Sequence, residues 1–404
     1  MSANLVSILT DSAARDAEHV ALKLDDVELS YGLLDEAASR VAGLLRAKGI
    51  TPGDRVGVML PNVPYFAACY YGVLRAGGVV VPMNVLLKGR EVGFYCSDPG
   101  SKVLLAWHDF AEAAEAGTAD NDTELILVKP GEFEQLLGGV EEPLREDAER
   151  SGDDTAVILY TSGTTGTPKG AELTHDNLRR NAEVSRDLHD VGPQDTVLGA
   201  LPLFHSFGQT CTLNAGILAG ATITLLPRFD PAKALEIFQR DAVTIFMGVP
   251  TMYGALLHAP GREDADLSKL RLCVSGGASL PLELLRGFED AFEATILEGY
   301  GLSETSPVAS FNKSAEDRKP GSIGTPIDGC EMKLVDDEGN DVGADEVGEI
   351  VIRGHNVMKG YWNRPDATAE TIRDGWFHTG DMAKVDADGY FFIVDRKKDM
   401  IIRG

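Results

Sequence analysis

The apolar positions along the chain switch repeatedly between the spacing of helices and that of strands. An apolar stripe at helical spacing covers 31–49 and closes at Gly49, a residue typical of the position just after a helix. A strand over 54–60, a helix over 62–77 and a strand over 78–84 follow. This βαβ unit predicts two parallel strands joined by a right-handed crossover.

The same alternation resumes near Val197. We predict strands at 196–200, 221–226, 243–247, 270–275 and 294–299, alternating with helices near 208–219 and at 231–240, 250–258 and 281–292. The expected fold class is therefore α/β, with two lobes built on mostly parallel sheets. After about Pro320, short strands separated by turn sequences such as DEGND and DADGY predict a small antiparallel, barrel-like β subdomain. We place the lobes at about 1–190 and 191–320, and the β subdomain at about 321–395.

Composition narrows the function classes. Apolar residues make up 44% and charged residues 25% of the 404 positions, as in ordinary folded proteins. The net charge of −26 argues against nucleic acid or an anionic membrane as a partner. The five cysteines are scattered and never spaced as CxxC, which favours a reducing cytoplasm and argues against a zinc site. We expect a cytoplasmic protein without a signal peptide or an integral membrane segment, and the sequence leaves a homodimer open.

The stretch TSGTTGTPKG at 161–170 is the strongest local signal. It follows TAVILY at 155–160, which predicts a buried strand, and its glycines, hydroxyls and Lys169 can all turn donors toward an anion. It is not a Walker A loop, because Lys169 stands between Pro168 and Gly170 instead of before Ser or Thr. By itself the stretch could also be a flexible polar linker.

Five further segments decide between these readings. They are PLFHSFG at 202–208, SGGASLP at 275–281 together with EGYGLSET at 298–305, WFHTGD at 376–381, and DRKKD at 395–399. In this order and spacing the segments resemble the AMP-forming acyl-adenylating superfamily of acyl-CoA synthetases, luciferases and peptide-synthetase adenylation domains. The resemblance covers nearly the whole chain and favours fatty-acid–CoA ligases. It makes 161–170 that family's phosphate loop.

The resemblance implies ATP, Mg²⁺ and coenzyme A as cofactors and assigns the site residues. ATP or AMP would be held by Thr161, Ser162, Gly163, Thr164, Thr165, Gly166, Lys169, Gly277, Ala278, Gly299, Tyr300, Gly301, Ser303, Asp381, Ile393 and Arg396. The catalytic set would be Lys169, His205, Thr165 and Glu304, with Glu304 also the metal ligand. Tyr300 would offer a face to adenine, and Asp381 would accept hydrogen bonds from the ribose hydroxyls.

The predicted acyl pocket is apolar or small-sided. Its residues would be His205, Phe207, Gly208, Val249, Thr251, Gly276, Gly301 and Val308. No Asp stands near His205 to pair with an amino group, and Glu298 stands where malonate-type ligases tend to have Arg. A medium- or long-chain fatty acid is therefore the first choice of substrate, and an aryl acid of the 4-coumarate type is the alternative.

The resemblance also implies a mobile C-terminal lid with a catalytic lysine, which the sequence does not contain. We assign 1–395 to the adenylation core and 396–404 to the hinge, with Lys398 as its pivot. We therefore expect this chain to be impaired in thioester formation. A module that binds an acyl-adenylate without thioester activity stays open as a third interpretation.

Overall fold

The computed structural model of the protein describes residues 3–161 and 167–396. Up to Gly138 the elements are α1 Ser7–Arg15, β1 Val20–Leu24, β2 Val27–Ser30, α2 Tyr31–Ala47, β3 Arg55–Met59, α3 Pro64–Arg75, β4 Val79–Pro82, α4 Gly89–Ser97, β5 Ser101–Trp107, α5 Ala111–Thr118, β6 Glu124–Val128 and α6 Glu132–Gly138.

The middle of the chain continues the alternation. Its elements are β7 Thr155–Thr161, β8 Lys169–Thr174, α7 His175–Leu188, β9 Thr196–Gly199, a wide π-helical segment Phe207–Asn214 that runs into α8 Ala215–Ala219, β10 Thr222–Leu225, α9 Pro231–Arg240, β11 Ile245–Gly248, α10 Pro250–Leu257, β12 Leu272–Ser275, α11 Leu282–Phe292, β13 Thr295–Gly301 and β14 Val308–Phe311.

The last part is mostly short strands. They are β15 Thr325–Pro326, β16 Cys330–Val335, β17 Gly348–Gly354, β18 Gly360–Tyr361, β19 Ile372–Arg373, β20 Trp376–Val385 and β21 Phe391–Arg396, with helix α12 Pro365–Thr371 before β19. Strands β16, β17, β20, β19 and β21 form one antiparallel sheet, which confirms the predicted small β subdomain.

The two large sheets confirm the predicted α/β class. One has the order β18-β8-β7-β4-β3-β5-β6 and is parallel from β7 to β6. The other has the order β15-β14-β13-β12-β11-β9-β10-β1-β2 and is parallel from β13 to β1. The N-terminal strands β1 and β2 thus extend the sheet of the second lobe, so sheet membership does not follow chain order.

Helix boundaries follow the local capping chemistry. Ser30 accepts a hydrogen bond from the Leu33 amide and starts α2, and Gly49 just after that helix has φ +79°. At α7, Thr174 and Asn177 exchange backbone and side-chain hydrogen bonds. The helix ends at Leu188 and is followed by His189 and by Asp190, whose φ is +48°.

The π-helical segment begins where two stretches of backbone pack closely together. A Cβ on Gly208 would lie 2.4 Å from the Pro202 carbonyl oxygen, so only glycine allows this close approach. The predicted helix near 208–219 is present, but its first part is wider than an α-helix. π-Helical turns are often found at functional sites.

Candidate active-site cleft

A cleft of about 980 Å³ opens where the two large sheets and the β subdomain meet. It is lined by residues at or just beyond the carboxyl ends of β9, β11, β12 and β13, and by Thr379, Gly380 and Asp381 of β20. Crevices outside the carboxyl ends of parallel strands are the usual ligand sites of open α/β sheets. The cleft is therefore the candidate functional site.

Three elements from distant parts of the chain meet at the Glu304 carboxylate. Glu304 lies in the turn after β13 and is only 9% exposed. Its Oε1 accepts hydrogen bonds from Thr161 Oγ1 at 3.2 Å and from the Tyr361 hydroxyl at 2.9 Å. Both donors sit at strand ends, on β7 and β18, so the carboxylate ties these strands to the second large sheet.

Lys169 lies beside the same group. It starts β8 and pairs across the hairpin with Thr161. Its Nζ stands 5.1 Å from the centre of the Tyr361 ring, within the range of a cation–π contact. Burial and the neighbouring Glu304 raise the pKa of Tyr361 well above its usual value, so this hydroxyl stays a donor.

On the β-subdomain side, Asp381 is 5% exposed and receives a hydrogen bond of 2.5 Å from the Tyr300 hydroxyl. Its own amide donates to Thr379 Oγ1 at 3.0 Å. The Glu349 carboxylate accepts from the Gly380 amide at 3.0 Å and so holds the turn that carries Asp381. This arrangement brings a phenol and two carboxylates to one wall of the cleft.

His205 lies at another wall of the cleft and is exposed to solvent. The surrounding cleft atoms nevertheless desolvate its ring, which lowers the pKa of His205. The Phe207 amide donates to Nδ1 at 3.3 Å. Because Nδ1 is the acceptor, the neutral ring carries its proton on Nε2. That N–H is available to an oxygen of a ligand.

The deeper part of the cleft is shaped by glycines packed against aromatic rings. A Cβ on Gly276 would lie 3.2 Å from the Phe207 ring, and a Cβ on Gly299 would lie 2.5 Å from the Phe311 ring. The absence of a side chain at Gly276, just beyond β12, and at Gly299, within β13, allows the rings of Phe207 and Phe311 to approach this closely.

The sequence interpretation missed His189 and Cys211, which also line this deeper part. Both are buried. Cys211 lies four residues after Phe207 in the predicted helix, so helical spacing could have placed the two on one face. No sequence signal marks His189, because the end of α7 reaches the cleft only through the tertiary fold.

Most of the predicted site residues that the structure describes line the cleft. They are Thr161, Lys169, His205, Phe207, Gly208, Val249, Gly276, Gly277, Gly299, Tyr300, Gly301, Ser303, Glu304, Val308 and Asp381.

The other predicted residues lie elsewhere. Thr251 and Ala278 are exposed outside the cleft lining, and Ile393 packs against the hydrophobic core. Arg396 pairs through its backbone with Asp381. The predictions for Ser162, Gly163, Thr164, Thr165, Gly166 and Lys398 fall outside the described residues.

In 3–161 and 167–396, no helix is long and apolar enough to cross a membrane. The same residues contain no group of three His, Cys, Asp or Glu side chains placed to hold a metal ion by themselves.

The chain belongs to the AMP-binding enzyme family, whose pattern matches residues 9–362. It is 38% identical over 435 aligned positions to a long-chain-fatty-acid–CoA ligase of Bacillus subtilis (strain 168), covering 99% of this chain and 78% of that protein. It is 40% identical over 393 positions to a feruloyl-CoA synthase of Amycolatopsis sp, covering 97% and 78%. The predicted class, an AMP-forming acid–thiol ligase, is thereby confirmed at the level of the family.

The fold is likewise shared with solved structures. The ATP-bound crystal structure of MatB from Rhodopseudomonas palustris superimposes with a TM-score of 0.93 at 34% identity, covering 100% of this chain and 80% of that one. The match extends over both large sheets and the β subdomain, since it covers the whole chain.

Proposed function

We propose that the cleft joins a carboxylic acid to the α-phosphate of ATP and that the acyl group is then passed to coenzyme A. The observation that carries this proposal is the convergence of Thr161, Lys169, Glu304 and Tyr361 beside a deep, partly apolar cleft. A cation, hydroxyl donors and a carboxylate are the groups that a triphosphate and its metal require. The remaining space accommodates the acid.

The carboxylate of Glu304 fits a magnesium ion. Both of its hydrogen bonds from the described residues go to Oε1, which leaves Oε2 as a hard oxygen ligand. Mg²⁺ is commonly held by one or two carboxylates together with substrate phosphates, so a single carboxylate is sufficient. When bound, the ion would offset the negative charge of the phosphates.

The chemistry needs no protein nucleophile. A carboxylate oxygen of the acid attacks the α-phosphorus, the bond from that phosphorus to the bridging oxygen breaks, and pyrophosphate leaves. The thiol sulfur of coenzyme A then attacks the acyl carbon as its proton is lost to solvent, and AMP leaves. The protein therefore acts by positioning the reactants and offsetting charge.

His205 and Asp381 have distinct proposed roles. The Nε2–H of neutral His205 would donate to the acid's carboxylate oxygen and so hold it for attack. Asp381, fixed by Tyr300 and by the Glu349-supported turn, would accept hydrogen bonds from the ribose hydroxyls. The assignment for His205 uses the tautomer that the Phe207 amide favours.

The proposal also concerns the chemical class of the acid's tail. The sequence favours a medium- or long-chain fatty acid, and the relative from Bacillus subtilis is named as a long-chain-fatty-acid–CoA ligase. The rings of Phe207 and Phe311 along the deeper cleft favour the second candidate, an aryl acid, and the Amycolatopsis relative is named as a feruloyl-CoA synthase.

Pyrophosphate exchange across acetate, octanoate, palmitate and cinnamate tests the proposal. We expect ATP-dependent exchange with at least one of the acids that carry an apolar tail, and little with acetate. Exchange with none of the four would contradict adenylation. Preference for acetate would contradict the assignment of the deeper cleft to an apolar tail.

A further inference from the structure

The cleft contains buried polar atoms that nothing in the described protein satisfies. His189 Nε2, Ser206 Oγ and Ser275 Oγ all belong to residues that line it, and none has a hydrogen-bonding partner among the described residues. Leaving such an atom unpaired is unfavourable, so at the wall of a cleft a polar atom of a ligand can supply the partner. An acid with a purely hydrocarbon tail would leave the polar atoms that it contacts unpaired.

Of the three, the His189 ring is the most firmly fixed. Its side chain is buried, with the whole residue only 2% exposed. Its Nδ1 lies 3.2 Å from Ser185 Oγ, and its ring meets Phe311 edge to face at 4.9 Å between centroids. Because Nδ1 is already engaged, Nε2 is the atom left for a ligand.

The backbone of His189 is held as well. Arg271, just before β12, donates to the His189 carbonyl at 3.1 Å, and the same guanidinium pairs with Asp195. This anchors the end of α7 toward the amino end of β12, whereas Gly276 and Gly277 lie beyond its carboxyl end. His189 thus lines the cleft from the end of α7, whereas Thr161 and Lys169, which are assigned to the phosphates, belong to the β7–β8 hairpin.

The surroundings of His189 favour an uncharged polar ligand group. Burial, followed by the nearby Arg271 guanidinium, lowers the pKa of His189 to about 3, so the ring is neutral at pH 7. Nearby Cys211 also stays uncharged, because burial raises the pKa of its thiol to about 12. A second carboxylate on the acid would find no countercharge in either side chain.

A hydroxyl group satisfies His189 in either tautomer. It can accept from Nε2–H, or it can donate to Nε2 if the proton is on Nδ1. The aromatic ring of Phe311, which contacts the His189 ring, offers a flat surface beside this atom.

We propose that His189 selects an aryl acid that bears a hydroxyl group on its ring. The proposal rests on the proposed function, because it assigns the tail of the acid that the cleft would adenylate. His189 binds this hydroxyl through Nε2, while Ser185 and Phe311 fix the orientation of the imidazole ring. His189 is a specificity-determining residue and takes no part in the transfer of the acyl group.

The test compares acids that differ only in the hydroxyl group: cinnamate, 3-hydroxycinnamate and 4-hydroxycinnamate. Dissociation constants are measured by calorimetry and exchange rates by pyrophosphate exchange. We expect at least one hydroxylated acid to bind at least about 10-fold more tightly than cinnamate. Equal or tighter binding of cinnamate would overturn the proposal.

Three variants test whether His189 causes the preference for a hydroxylated acid. His189→Phe keeps a ring but removes Nε2, so the preference should fall to near unity while cinnamate still binds. His189→Gln retains an amide that can donate or accept and should keep part of the preference. His175→Phe is the matched control, because His175 is a buried histidine at the other end of α7, also has an unpartnered Nε2, and does not line the cleft. A full preference in His189→Phe, or its loss in His175→Phe, contradicts the assignment.

The two readouts separate this proposal from the proposed function. Exchange with cinnamate or octanoate but no preference for a hydroxyl group means that only the role of His189 is wrong. Absence of exchange with every acid contradicts adenylation, and the calorimetric comparison still decides whether His189 binds the hydroxyl group. Folding of each variant is checked by circular dichroism, and the wild-type comparison of acids does not depend on any variant.

Discussion

The Tyr300 hydroxyl and the Asp381 carboxylate are joined by a hydrogen bond of 2.5 Å, which links the second large sheet to the β subdomain across the cleft. Asp381 Oδ2 accepts this bond, so the proposed ribose contacts must share the carboxylate with the phenol. The bond therefore orients Asp381 before nucleotide arrives.

This relationship predicts different effects for its two members. Asp381→Ala should weaken ATP binding about 10- to 100-fold, because it removes charge-assisted hydrogen bonds to the ribose. Tyr300→Phe keeps the ring and should weaken ATP binding clearly less than Asp381→Ala does. Calorimetric titration with ATP and Mg²⁺ checks both, and a larger loss in Tyr300→Phe than in Asp381→Ala would show that Asp381 does not hold the ribose.

A second prediction concerns the phosphate side. Lys169→Ala or Glu304→Gln should lower the rate of pyrophosphate exchange by roughly 10- to 1000-fold, the range expected when one preorganised charge contact is lost. Lys359→Ala and Glu331→Gln serve as controls, because neither residue lines the cleft. Exchange at wild-type rates in both Lys169→Ala and Glu304→Gln would refute their assignment.

The third prediction concerns the depth of the cleft. In a series of straight-chain acids, each additional buried CH₂ should contribute up to about 0.8 kcal/mol until the cleft ends. Gly276→Ala adds a Cβ 3.2 Å from the Phe207 ring and should therefore reduce exchange more for octanoate or cinnamate than for acetate.

Gly138→Ala is the control for this substitution, because a Cβ at Gly138 meets nothing within 4 Å. Equal losses for acetate and cinnamate in Gly276→Ala would indicate a general loss of folding or nucleotide binding instead of a narrower acid site.

The fourth prediction concerns stability against pH. Burial is the main cause that lowers the pKa of His175 and of His189 from 6.5 to about 3. Below pH 6.5 the unfolded chain takes up protons that the folded chain does not. The free energy of unfolding should therefore fall between pH 6.5 and about pH 3, with each histidine contributing about 1.4 kcal/mol per pH unit.

Urea unfolding at pH 7, 6 and 5 measures this slope. His189→Gln should show a shallower pH dependence than the wild type, by the contribution of one histidine. Parallel curves for the two proteins would show that His189 is not kept neutral by folding.

Much of the fold could be predicted because each buried strand and amphipathic helix has its own local pattern. The strand at 196–200 and the helix at 231–240, for example, lie at Thr196–Gly199 and Pro231–Arg240. The pairing of β1 with β10 could not be predicted from a local pattern. Strand pairing over about 200 positions depends on which edge of the sheet is left open, and no local pattern records that.

The residues of the candidate site also fall into those that a local pattern predicts and those that it does not. Glu304 and Asp381 belong to motifs that the sequence shows directly, and the structure brings both to the cleft. Tyr361 and His189 carry no such motif and reach the cleft only through the pairing of β18 with β8 and the packing of α7. The contribution of such residues cannot be predicted from the local sequence pattern, because their position depends on long-range packing.

The pairing of β18 with β8 also bears on the order in which the protein matures. Thr161 and Glu304 are 143 positions apart, and Tyr361 follows Glu304 by another 57. Contacts between such distant positions require closure of long loops, which makes them late events in folding. A chain emerging from the ribosome must be synthesised beyond Tyr361 before these three side chains can meet, so the proposed triphosphate site cannot assemble before that point.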